Sequence, residues 1–116
     1  MGEMSWFSAT VRLACLFETS GLSRYMDSVH VFQADGFEAA FQRALDIGRH
    51  HEESYINGEG VRVAWKLVSI LTLDSLGAEI ADGAEVCSGP VVATESERVS
   101  FDHVFAPEDS TPTQSI

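Results

Sequence analysis

Between Trp6 and Phe17 the chain alternates. Phe7, Ala9, Val11, Leu13, Cys15 and Phe17 fall on one side, and Ser8, Thr10 and Arg12 on the other. A period of two is the signature of a half-buried strand. The stretch Glu18–Arg24 is rich in turn formers and leads to a second strand, about Tyr25 to Ala34, centred on Val29, His30, Val31 and Phe32. A hairpin is the simplest pairing of the two. At Asp35 the period changes: Phe37, Ala40, Phe41, Ala44 and Leu45 recur at i, i+3, i+4, i+7 and i+8, which predicts an amphipathic helix with Phe37, Phe41 and Leu45 against the sheet. Asp35 is placed to cap this helix, with Glu38 completing a capping box. On that reading Asp35→Ala costs on the order of 1 kcal/mol. Arg49, His50 and His51 suit the negative end of the helix dipole.

A short strand around Ser54–Ile56 follows, and Asn57-Gly58-Glu59-Gly60 is a reversal signal of the Asn-Gly kind. From Val61 the residues Val61, Val63, Trp65 and Leu67 alternate with Arg62, Ala64 and Lys66. Beyond Leu67 both sides turn apolar, with Val68, Ile70, Leu71 and Leu73. Such a change predicts a strand that becomes central, or a bulge that swaps its faces. Gly83–Cys87 reads as a further strand, and Val91–Thr94 and Val99–Phe105 as weaker ones. The polar, Pro-containing chain after Pro107 is expected to be disordered. The pattern predicts an α+β fold, β-β-α-β-β-β, in which a mostly antiparallel sheet of four to six strands carries one main helix on one face. It forms a single domain over residues 1–105, with a tail at 106–116.

Charge narrows the function. The 116 residues hold 18 Asp and Glu against 7 Lys and Arg, a formal net charge of -11. That balance favours solubility and disfavours phosphate backbones and anionic lipid surfaces, so neither nucleic acid nor membrane is an expected partner. No apolar run approaches the roughly 20 residues of a membrane span. The N-terminus has neither the basic and apolar regions of a secretory signal nor a myristoylation pattern, so the cytoplasm is the expected compartment. Cys15 and Cys87 both fall in expected strands and read as buried, reduced thiols.

Candidate chemistry is sparse. The cluster His50-His51-Glu52-Glu53 carries metal-ligand types, but adjacent histidines on a helix diverge by about 100° and lack the i, i+4 spacing of a ligand pair. A solvated helix end is the better account, and no metal or cofactor is expected. His30 lies among apolar strand residues, where it would act as acid or base only if Glu85 or Asp27 came within reach. No nucleophile elbow, phosphate-binding loop, Cys-x-x-Cys pair or dinucleotide fingerprint occurs, so no catalytic residue is assigned. Trp6, Tyr55 and Trp65 are large aromatics near strand ends, suited to lining a pocket or anchoring a partner. For Arg12 and Arg62, projecting from strands of an acidic protein, internal pairing with Glu85 is at least as good an account as ligand recognition. The ligand or partner candidates are therefore Trp6, His30, Trp65 and Glu85.

The order Trp6-Phe7-Ser8-Ala9, Phe37-Glu38-Ala39-Ala40 with Ala44, Tyr55-Ile56-Asn57-Gly58-Glu59-Gly60, Val63-Ala64-Trp65-Lys66-Leu67-Val68 and Asp82-Gly83-Ala84-Glu85-Val86 resembles an uncharacterised family of small bacterial proteins, a domain of unknown function. Its members begin with a Trp-aromatic-x-Ala strand and end with a Gly-x-Glu-Val strand. The resemblance runs from about Trp6 to Ser88 and implies the same strand order and a bacterial cytoplasmic setting. It carries no activity and no catalytic residue, and residues 89–116 lie beyond it. Two functions follow as expectations. One is a non-enzymatic protein-interaction module of immunity or accessory type, with a basic partner or self-association through a sheet edge. The other is a small-molecule-binding or catalytic domain with a pocket between helix and sheet.

Overall fold

The computed structural model describes residues 3–91, 93 and 99–113. Its regular elements are β1 (Ser5–Phe17), β2 (Gly21–Ala34), α1 (Phe37–His50), β3 (Glu53–Ile56) and β4 (Arg62–Gly77), with a single 3-10 turn at Pro107–Asp109. The strands form one antiparallel sheet in the order β2-β1-β4-β3. The fold is α+β as the periodicity predicts, with four strands and with α1 lying across β1, β2 and β4.

The hairpin of β1 and β2 pairs Phe7 with Phe32, Ala9 with His30, Val11 with Ser28 and Arg12 with Asp27. Because side chains alternate, Phe7, Ala9 and Val11 share the helix face with Ala34, Phe32 and His30. Ser8, Thr10 and Arg12 share the other face with Val31, Val29 and Asp27. The core is on the helix side: Phe7, Ala9, Phe32, Ala34, Ala40 and Ala44, with Ile47, Ile70 and Leu73 packed against them. The Phe7 and Phe32 rings stack at 6.3 Å between centroids.

Bulges explain the two-sided apolar run in β4. Its pairing with β1 shifts three times, between Trp6 and Phe7, Thr10 and Val11, and Arg12 and Leu13, leaving Leu76, Leu71 and Val68 as the extra residues on β4. Leu67, Ile70 and Leu73, opposite Leu13, Val11 and Ala9, thereby reach the helix face at intervals of three where an unbulged strand has two. The extra residues Val68 and Leu71 are 50% and 42% exposed.

The helix is rotated from the orientation that its large residues predict. Ala40, Ala44 and Gly48 are buried, whereas Phe37 is 64% and Phe41 41% exposed. A sheet surface already filled by Phe7, Phe32, Ile70 and Leu73 leaves room for a small-residue stripe at close range. A Cβ added to Gly48 would lie 2.7 Å from Leu67 Cδ1 and 3.2 Å from Val11 Cγ1. The cap also differs. Gly36 occupies the N-cap position with no side-chain hydrogen bond, and Asp35 is exposed in the bend between β2 and α1.

The β3–β4 turn is longer than a two-residue Asn-Gly reversal. Asn57 Oδ1 accepts hydrogen bonds from the amides of Glu59 (2.9 Å) and Val61 (3.0 Å), and Gly60, at φ +79°, takes the left-handed conformation. After Gly77 the strands stop. Gly83–Cys87 and Val99–Phe105 are not strands, and the expected strand at Val91–Thr94 falls partly outside the described residues. Gly83 has φ +83°, and the Ala84 amide donates to the Ala81 carbonyl at 3.0 Å, a turn where the strand was expected to begin. Cys87 is consequently exposed; Cys15 is buried, and both thiols are free.

Unfolding in urea tests the helix contact. Gly48→Val is expected to lower stability by about 1–3 kcal/mol through overpacking against Leu67 and Val11. Asp35→Ala is expected to stay within roughly 0.5 kcal/mol of the parent because no cap bond is lost.

Candidate functional site

Strand register places the four candidate residues in separate surroundings. His30 is on the helix face, opposite Ala9. Its Nε2 lies 2.9 Å from Ser28 Oγ, and its ring is 5.2 Å from that of His51, the C-cap residue of α1. Partial burial and the nearby His51 hold the His30 imidazole below its ordinary proton affinity, burial being the larger cause. His50 lies edge-on to His51 at 6.3 Å. Beside these rings is an open groove of about 420 Å³ lined by Arg43, Asp46, Ile47, His50 and His51.

Trp65 is also on the helix face but further along the sheet, in the row Arg24, Cys15, Trp65, Glu53. The Arg24 guanidinium reaches over the Trp65 ring, 5.4 Å from its centroid. Together they roof Cys15, which is 1% exposed. This is a packing role for an aromatic that the sequence marks as a binding candidate.

Trp6 and Glu85 belong to the opposite side. Trp6, half-buried, alternates with Phe7 and so faces away from α1. Two residues on, Ser8 is fully buried and donates its hydroxyl to the carbonyl of Val86. This bond ties the chain after β4 across the back of the sheet. Glu85 is exposed there and lines a groove of about 200 Å³ with Asp74, Ser75, Leu76 and Val86–Ser88. That groove includes none of Trp6, His30 and Trp65. His30 and Glu85 thus lie on opposite faces of the sheet.

The remaining polar groups have partners other than those expected. Arg12 pairs with Asp27, directly across the hairpin, through Nε at 2.7 Å and Nη2 at 2.9 Å, and lies over the Tyr25 ring at 5.2 Å. The bidentate contact holds the Asp27 carboxyl below its usual range and raises Arg12. Arg62 is 3.8 Å from Glu18, and neither arginine pairs with Glu85. Glu52 accepts a hydrogen bond from the Leu67 amide at 2.9 Å, extending the rungs of β3 by one along β4. The Arg12–Asp27 contact follows from hairpin register, a signal that residue types alone do not carry. Among the described residues no group of three or more His, Cys, Asp or Glu is placed to hold a metal ion.

The sheet has three kinds of free edge. β3 is four residues long, and β4 beyond Trp65 is broken by its bulges. β2 is the outer strand over 14 residues, with one irregularity, opposite Cys15 and Leu16. Leu22, Tyr25, Met26, Val29 and Val31 on it are each 46–50% exposed.

A curled antiparallel sheet with one helix across one face, a long β2 edge and dispersed polar groups define an α+β domain. Residues 6–88 match the model of the domain of unknown function DUF4288, and the chain belongs to that family. The match ends at Ser88, as the sequence resemblance does. No curated protein and no solved structure matches the chain. No helix among the described residues is long and apolar enough to cross a membrane.

The histidine contact has a pH signature. In the fold His30 binds its proton less readily than at its ordinary value of 6.5. Its contribution to stability is full above that value and is lost as pH falls through the lower folded-state value. Thermal unfolding of the parent is expected to show this acid loss, and His30→Gln to flatten it over the same window. An identical pH profile in the two proteins would remove His30 as the cause.

Proposed function

We propose that the chain is a non-enzymatic protein-interaction module of immunity or accessory type, working in a bacterial cytoplasm, whose carboxylates engage a basic protein partner. One observation carries this reading: every described Asp and Glu is exposed, and only Glu18 and Asp27 lie within ion-pair distance of an Arg among the described residues. A surface of uncompensated like charge repels itself and gains when a cationic surface covers it. The separation of Trp6, His30, Trp65 and Glu85 favours a broad surface over one enclosed pocket.

Salt is the discriminating variable. Tagged full-length protein is expected to retain a basic protein at roughly 0.05 M salt and to release it by roughly 0.5 M, because screening shortens the reach of surface charge. Retained proteins without basic character, or retention indifferent to salt, would overturn the proposal.

A further inference from the structure

The segment Val99–Phe105 has the alternation of a strand and pairs with no strand among the described residues. Val99, Phe101, His103 and Phe105 alternate with Ser100, Asp102 and Val104. Val99 is 66%, Phe101 108%, Val104 84% and Phe105 63% exposed. Local bonding of the segment is slight, with the His103 amide donating to the Ser100 carbonyl at 3.1 Å. Four large apolar side chains within seven residues are costly to leave in water, at about 25 cal/mol per Å² of apolar surface.

The same chain holds the complementary defect. An outer strand presents unpaired amides and carbonyls, and proteins ordinarily protect it by shortness, bulges or charge. β3 is short and β4 is bulged, but β2 has neither protection over Arg24–Ala34. Its charged residues are Arg24 and Asp27, and Asp27 is neutralised by Arg12. Residues 99–113 hold Asp102, Glu108 and Asp109 and no Lys or Arg, so the segment is anionic where the β2 edge is neutral to cationic.

We infer that two copies of the chain associate by exchange, Val99–Phe105 of each adding as a strand to the free β2 edge of the other. Each contact replaces one turn hydrogen bond with a ladder of backbone bonds and brings the exposed Phe and Val side chains beside Tyr25, Val29 and Val31. A two-fold arrangement satisfies both segments and both edges and leaves no repeating open contact. The exchange is separate from binding a basic partner, and salt acts on the two in opposite directions. Screening the mutual repulsion of two chains of net charge -11 strengthens self-association and weakens capture of a cation.

Light scattering of the full chain between roughly 0.05 M and 0.5 M salt tests the inference. The mass is expected to rise toward twice that of the chain with protein concentration, and further with salt. The pair Phe101→Ser/Phe105→Ser removes the two aromatic side chains of the segment without touching the sheet. The pair Val29→Glu/Val31→Glu makes the edge repel the acidic segment. Each variant alone is expected to be monomeric, with circular dichroism reporting an intact sheet. At higher protein concentration an equimolar mixture is expected to form heterodimer through one of the two contacts, the intact segment of the Val29→Glu/Val31→Glu variant adding to the intact edge of the Phe101→Ser/Phe105→Ser variant. A monomeric parent at high salt overturns the inference, as does a dimer indifferent to either pair of substitutions or a mixture that does not complement. None of these results bears on capture of a basic protein at low salt.

Discussion

The close approach of α1 to the sheet is the contact on which the arrangement depends. Gly48 meets Val11 and Leu67 at a distance that leaves no space for a methyl group without displacement, and Ala44 and Ala40 continue the same stripe. The sheet offers a matching surface because the bulges of β4 bring Leu67, Ile70 and Leu73 to one side. Two irregularities, small residues on the helix and extra residues in the strand, fit each other. The orientation of the helix then places His51 against His30 and leaves Phe37 mostly, and Phe41 partly, in water.

The elements were legible in the sequence because their periods are clean. β1, β2 and α1 follow from alternation and from the change of spacing at Asp35, and the disturbance in β4 was visible as a loss of alternation after Leu67. The helix face was legible only in part: Ala40 and Ala44 lie inward as their spacing predicts, but the large residues beside them do not. Hydrophobicity assigns Phe37 and Phe41 inward, whereas the decisive quantity is the space left above a sheet already occupied by large side chains. The expected strand at Gly83–Cys87 failed for a related reason: its residues have strand propensity, but the chain there turns at Gly83 and is bound to Ser8 through the Val86 carbonyl.

Several polar and aromatic residues make local contacts that residue type alone does not foretell. Trp65 and Arg24 cover a cysteine, Glu52 completes a strand rung, and Arg12 finds Asp27 because the hairpin puts them opposite each other. These residues have local structural partners, whereas Glu85 and most other carboxylates, the β2 edge and the apolar segment near the C-terminus present surface. Such features act by area and charge, which a motif search does not detect.

The strand order also governs how the chain reaches this state. The hairpin of β1 and β2 closes through a short turn at Phe17–Gly21, so its pairing is local and fast to find. β4 must pair on the other side of β1 after β2, α1 and β3 have intervened, which makes that pairing the most distant in sequence and the most costly in loop entropy. Until it forms, both sides of the hairpin are open, and α1 lacks the surface formed by Leu67, Ile70 and Leu73. Assembly of the domain is therefore paced by the arrival of its last strand, and the interval before that arrival is when a newly made chain is most exposed to pairing with the wrong neighbour.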